Sequence, residues 1–305
     1  MDLFETRGEK LLEEFCKKFP DGSTEGSNQV LPPYYLTKHQ ETENDVNEAR
    51  KDFDQQDEEC KSKNKKRGDK LRGMAVNQTG DLTEREVYKL LFNCKVPNGY
   101  EFLSIHSFEL DIKPKDRDQR PYKRALRSEL PSFPDNIPMD IELDFAVIVG
   151  NVGAIGIEVK SFSTAQNLDE ATKDNSLDKA EKQLTGGEGF LGALMSTVSG
   201  GSVLPYVRVI CVPNDSTPSP SAKSHDGSYR LNSDIISQPQ KFNSMLELFV
   251  KELIEQKAKA TFTEQQFSRF TKFVVGLWTS ESDSTGLVGL NKVAKGIYLV
   301  TSSLI

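Results

Sequence analysis

Two apolar runs, Phe145-Ala-Val-Ile-Val149 and Ala154-Ile-Gly-Ile157, stand a few residues apart, the first led by Asp140-Ile-Glu-Leu-Asp144 and the second followed by Glu158-Val-Lys160. Short apolar runs tipped by charge, with Gly150, Asn151 and Gly153 between them, predict a β-hairpin. Side chains on a strand alternate between faces, so Glu158 and Lys160 project from one side and Ile157 and Val159 from the other. Whether Asp144 joins them depends on the turn. Cross-strand pairs whose residue numbers sum to an even total put it on their face, and an odd total turns it away. A loop of three residues, Gly150-Asn151-Val152, or of five gives the even total, with Gly150 and Gly153 suited to left-handed or bulged positions. A two-residue Asn151-Val152 turn gives the odd one.

The same reading places the other elements. Gly80 to Phe92 has the spacing of an amphipathic helix, with Thr83 and Glu86 placed as a capping box and Glu84, Val87 and Leu91 on one stripe. Glu101 to Ile112 reads as a strand. Leu177 to Leu184 reads as a helical patch ended by Gly186, Gly187 and Gly189, and Pro205 to Pro213 as a strand too apolar for a loop. Residues 214–240, rich in Ser, Pro, Asn and Asp, read as an irregular connection. Two packing helices should follow, one carrying Met245, Leu246, Phe249, Val250, Leu253 and Ile254, the other Phe267, Phe270, Val274, Val275 and Trp278. At the amino end, Glu9 to Phe19 predicts a short amphipathic helix and Pro20 to Pro33 a link. Glu41 to Lys70 has almost no apolar face and is either a solvated helix or disordered.

Composition narrows the function classes. A chain of 305 residues with 36% hydrophobic and 28% charged content can bury one substantial core with appendages. Cys16, Cys60, Cys94 and Cys211 show no paired spacing, so neither a zinc site nor a disulfide framework is indicated. His39, His106 and His225 are far apart, and no G-x-S-x-G elbow is present, which argues against histidine-based metal chemistry and a serine triad. No apolar run approaches the roughly 20 residues that span a bilayer. The start, Met1-Asp-Leu-Phe-Glu, lacks signal-peptide features, so an intracellular, cytoplasmic or nuclear, protein is expected rather than a secreted one.

Two carboxylates converging beside a lysine suit a hard divalent cation, because Mg2+ takes oxygen ligands and often binds through one or two carboxylates plus substrate phosphate. A protonated lysine stays outside that shell but can orient an attacking water or neutralise charge on a phosphodiester.

This combination resembles the PD-(D/E)XK nuclease superfamily, and within it the nuclease-related domain (NERD) pattern of E-x-D-hydrophobic, a glycine turn and I-E-V-K. Here those elements read Glu142-Leu-Asp144-Phe and Ile157-Glu158-Val159-Lys160. The likeness covers roughly residues 80–215, with about two thirds of its weight on the hairpin. It implies Mg2+ or Mn2+ held by Asp144 and Glu158, with the Val159 carbonyl as a further ligand. Lys160 would orient water, Glu84 of the first helix would lie near the metal, and Gln183 would steady the lysine or the phosphate. The family's proline before the aspartate is replaced by Leu143, and the family contains inactive members. Glu109-Leu-Asp111 repeats the Glu142-Leu-Asp144 tripeptide, but Asp144 is preferred because its strand runs straight into the turn and the E-V-K strand.

Between the strand ending at Ile112 and the hairpin lies a basic segment, Lys113, Lys115, Arg117, Arg120, Lys123, Arg124 and Arg127, in a chain of formal net charge -7. Basic residues beside an acidic pocket would let an acidic protein hold a polyanion. The expected architecture is therefore α/β, a restriction-endonuclease-like core with a central mixed four-stranded sheet flanked by helices, and helical additions at both ends. Residues 1–79 form a charged, partly helical or disordered region, 80–215 the nuclease-like domain, 216–240 a linker and 241–305 a helical extension. The expected activity is metal-dependent hydrolysis of nucleic acid, DNA first. The alternative is an inactive module that binds nucleic acid or protein. Thr263-Glu-Gln265 resembles the glutamine motif that introduces helicase cores, which makes a helicase-type protein a possible partner. No G-K-[ST] phosphate loop is present, so the chain is not itself a motor.

Overall fold

Residues 145–149 and 154–157 are apolar on both faces, and a strand of that kind is stable only inside a sheet covered on both sides. That is where they lie in the computed structural model. It describes residues 5–13 except 7 and 11, 28–31, 83–91 except 85, 94–95, 100–112, 140–160, 170–212, 223, 227–279, 290–293 and 296–301. The strands are β1 (Asn28–Leu31), β2 (Glu101–Ile112), β3 (Asp140–Val149), β4 (Gly153–Val159), β5 (Tyr206–Cys211), β6 (Tyr229–Leu231), β7 (Leu290–Val293) and β8 (Gly296–Thr301). Helical positions at 5–13 and at 83–91 form α1 and α2. They are followed by α3 (Glu170–Ser199), α4 (Ser233–Ile236), α5 (Pro239–Lys257) and α6 (Glu264–Thr279).

The sheet is mixed and open, in the order β1-β8-β2-β3-β4-β5-β6, with β7 also on β2. β2, β3 and β4 form an antiparallel meander, and β5 and β6 continue from β4 in parallel. Parallel neighbours need a long crossover, and α3 supplies it between β4 and β5. On one face, Ile148, Ala154 and Ile210 pack against Leu184, Leu191 and Leu194 of α3 and Phe270 and Val274 of α6. On the other, Val147, Ile155, Val207 and Val209 pack against Val87 and Leu91 of α2 and Phe242, Leu246, Phe249 and Leu253 of α5.

Several expectations change. The sheet is larger than four strands: β6 extends the four strands β2 to β5 to a mixed core of five, and β1, β7 and β8 add to the β2 side. The carboxyl-terminal region is not purely helical, because its last described segments are strands and β8 pairs with β2. Inside 214–240, Tyr229–Leu231 and Ser233–Ile236 are a strand and a helical turn, both too short to show a period. The expected helix at residues 9–19 is helical at its described positions up to 13, and the link at 20–33 contains β1. The charged stretch 41–70 lies outside the described residues. Thr83 is already helical and Glu86 pairs with Lys89 at 2.7 Å, so α2 starts at or before the expected cap. Ile254 is 43% exposed, off the buried stripe of α5. Among the described residues no helix is long and apolar enough to cross a membrane.

The largest correction concerns α3, which runs straight through Gly186, Gly187 and Gly189. Isolated helical glycine costs about 1 kcal/mol against alanine, and here contact with the sheet outweighs it. A Cβ on Gly187 would lie 2.3 Å from Cδ1 and 2.9 Å from Cγ of Leu143. Gly187→Ala should therefore destabilise the protein by a net of roughly 1–2 kcal/mol, overpacking exceeding the gain in helix propensity. An urea midpoint equal to or above wild type would refute this packing account.

Candidate active site

The β3–β4 turn decides whether the charged strand ends meet. Pairing runs from Val149↔Gly153 to Phe145↔Ile157, every pair summing to the same even number around the loop Gly150-Asn151-Val152. Val152 N–H donates to the Val149 carbonyl at 3.0 Å. The left-handed residue is Asn151, with φ 57°, and not a glycine; asparagine is one of the few residues that enters this region readily. Gly153 serves a different need, since a Cβ there would come within 2.5 Å of the Pro205 carbonyl oxygen.

Beyond Phe145 the two strands part. Leu143 packs on the α3 side of the sheet while Phe145 packs on the opposite side, so the alternation of faces breaks at Asp144. The Asp144 carboxylate takes over the ladder there, its Oδ2 accepting the Val159 N–H at 2.6 Å. Glu158, adjacent in sequence to that amide, is fully buried at 0% exposure. Its Oε2 accepts from Lys160 Nζ at 2.6 Å, and its Oε1 has no hydrogen-bond partner among the described residues. Lys160 is held along β5 by its backbone N–H, which donates to the Cys211 carbonyl at 2.9 Å, and its side chain is 20% exposed. The ammonium is thus partly exposed and the Glu158 carboxylate that it meets is fully buried.

The electrostatics follow from two acids sharing one cation. Burial first, and then the charge of Glu84, push the Asp144 carboxyl up to about 7 against the opposing pull of Lys160 and the Val159 N–H. Burial and the neighbouring Asp144 push Glu158 well above the usual carboxylate range. Burial alone would lower Lys160, but Glu158 and Asp144 outweigh it and hold the ammonium charged. Both acids are therefore biased toward the protonated form while the lysine stays charged. Both acids have folded pKa values above their unfolded ones, so the native state binds more protons than the unfolded chain and stability falls as pH rises through about 7. In chelator, the urea midpoint should be higher at pH 5.5 than at pH 8, with a shallower slope in Asp144→Asn. A midpoint independent of pH would contradict this assignment.

Asp144, Glu158 and Lys160 are thus brought together, with Glu84 close enough for its charge to act on Asp144. Val159 contributes an N–H to Asp144. Gln183 is nearby but differently engaged than expected: its Nε2 donates to Glu142 Oε2 at 3.1 Å, not to a partner at Lys160, and its Oε1 is buried without a partner among the described residues. Glu142, given no role from the sequence, acts electrostatically on Asp144, Glu158 and Lys160. Its signal was its place two residues before Asp144. The duplicate tripeptide lies away from β4, with Glu109 opposite Glu142 and Asp111 opposite Asp140. Lys113, Lys115, Arg117, Arg120, Lys123, Arg124 and Arg127 lie outside the described residues. Of the elements on either side, β2 ends at Ile112 and β3 begins at Asp140, at the end of the two strands where Asp144 meets β4.

Two neighbouring carboxylates, one fully buried and with an oxygen that has no partner among the described residues, fit a hard cation, which would take the place of the protons that burial favours. Among the described residues no three or more His, Cys, Asp or Glu side chains are grouped to hold a metal, so the protein set is limited to two acids. That number is compatible with Mg2+, which keeps waters and substrate oxygens in its shell. No family model, no curated protein and no solved structure matches this chain.

Proposed function

We propose that the protein is a divalent-metal-dependent nuclease built on a restriction-endonuclease-like core, hydrolysing phosphodiester bonds, in DNA first. The observation that carries this reading is the fully buried Glu158, one oxygen on Lys160 and the other unpartnered, beside an Asp144 anchored by a backbone N–H. Asp144 and Glu158 would hold Mg2+ or Mn2+, with the Val159 carbonyl as a further donor. When bound, such an ion polarises a phosphoryl oxygen and lowers the pKa of water.

The residues contribute the rest. The Val159 N–H fixes Asp144 Oδ2, which sets the direction of the other oxygen. Lys160, partly exposed above Glu158, places a positive charge where a phosphate would approach and can orient the attacking water. Glu84 assists from α2 through its charge, and Gln183, held by Glu142, offers its free amide oxygen or turns toward the phosphate. The basic segment 113–127, which follows β2 in the chain, would bind the polyanion backbone.

A second reading is a module that binds nucleic acid or protein without cutting, as an accessory to a helicase-type protein. It is favoured by the closed Glu158–Lys160 pair and by a carboxylate set of only two. Incubation of the purified protein with single- and double-stranded DNA and with RNA, in Mg2+, Mn2+ or chelator, separates the two. Metal-dependent cleavage supports the nuclease. Retention of DNA with no cleavage in any metal, and no Mn2+ shift in melting temperature, supports the module.

A further inference from the structure

The phenol oxygen of Tyr206 is a buried polar atom that the proposed mechanism does not use. It has no hydrogen-bond partner among the described residues, whereas buried hydroxyls nearly always find one. Tyr206 stands opposite Ala154 in the parallel β4–β5 ladder, yet its Oη lies 1.8 Å from where a Cβ on Gly156 would be. The ring therefore leans along the strands toward their carboxyl ends and fills the space that Gly156 leaves. Glu158 follows Gly156 by one strand repeat, about 6.6 Å, on the same face, and its Oε1 is also buried and unpartnered. Burial, then Glu188, with Glu158 adding, raise the phenol well above its usual range against Arg208, so it remains a hydrogen donor. Glu188 is already committed, its Oε2 accepting from Arg208 Nε at 2.7 Å.

We propose that Tyr206 is a positioning residue, its O–H holding Oε1 of Glu158 through one buried water. A carboxylate oxygen has two lone pairs, so accepting this hydrogen leaves one free, and ligating carboxylates are commonly fixed by such outer hydrogen bonds. The metal half of the inference rests on the proposed function; the contact itself does not. Gly156 is then required at its position because any side chain would push the phenol off the acid.

The test uses full-length protein carrying carboxyl-labelled [13C]glutamate, in chelator. The Glu158 resonance, identified by its loss in Glu158→Gln, should move in Tyr206→Phe and stay in Tyr229→Phe, whose hydroxyl serves Glu252 at 2.6 Å. The Mn2+ concentration that raises the melting temperature should increase by about 10-fold or more in Tyr206→Phe. An unmoved Glu158 resonance overturns the contact, and a moved resonance with unchanged Mn2+ response overturns the positioning role. A moved resonance with no Mn2+ response in wild type removes the metal and keeps the contact. If Tyr206→Phe does not fold, tyrosine Cζ labelling decides: one resonance must shift in Glu158→Gln, and none doing so sinks the idea.

Discussion

Asp144→Asn should lose at least about 10³-fold in cleavage while remaining as stable as wild type, or more so, in chelator. The asparagine carbonyl still accepts the Val159 N–H that Asp144 Oδ2 accepts at 2.6 Å, so the end of the β3–β4 ladder survives. What disappears is a charge that burial and Glu84 oppose, which explains the unchanged or improved fold. Charge stabilisation by a bound ion is worth several kcal/mol, and about 1.4 kcal/mol is a factor of ten in rate. Asp144→Ala is the contrasting case: it also strands the buried Val159 N–H, at about 1–3 kcal/mol. Single-turnover cleavage with Mn2+ and urea midpoints in EDTA read both effects. An Asp144→Asn protein cutting within about tenfold of wild type would dispose of the metal-ligand role.

The hairpin was legible in the sequence because two apolar runs flank a short glycine- and asparagine-bearing turn, and the even pairing Phe145↔Ile157 is one of the two parities that the turn allowed. Less legible was how Asp144 reaches the site. Alternation alone would have placed it, but Leu143 and Phe145 pack on opposite faces, and the carboxylate enters by replacing a ladder acceptor. Local pattern cannot show that, because Leu143 packs on the α3 side, where Gly187 leaves room for it, and that contact is distant in sequence. The same contact is the reason for a glycine at 187 inside α3, where the local sequence signals a helix end.

Long-range pairing hid the rest. Strands β1, β7 and β8 are short and come from both ends of the chain, and their places on the β2 side depend on partners far away in sequence. Glu142 gave a weak period-two signal, and Tyr206 gave none of its own. The only local trace of its lean was a glycine inside the apolar strand, at Gly156, which marks close approach.

Lys160→Met should separate the two roles of the lysine. In the first, the ammonium neutralises a fully buried acid at 2.6 Å, with its own side chain 20% exposed. Removing one partner of a buried pair typically costs about 3 kcal/mol or more. Glu158 can limit that cost by taking a proton, which its environment already favours, so the loss should be larger at pH 8 than at pH 5.5. The double variant Lys160→Met/Glu158→Gln, with neither charge, should return most of the stability. In the second role the lysine acts on water or phosphate, and positioned proton-transfer groups contribute about 10²–10⁴-fold. Cleavage should fall by that factor in Lys160→Met and should not recover in the double variant. Urea midpoints at the two pH values and single-turnover rates check both halves. Equal cleavage by wild type and Lys160→Met would leave the lysine a structural counter-ion alone, because stability and turnover would then no longer depend on the same ammonium.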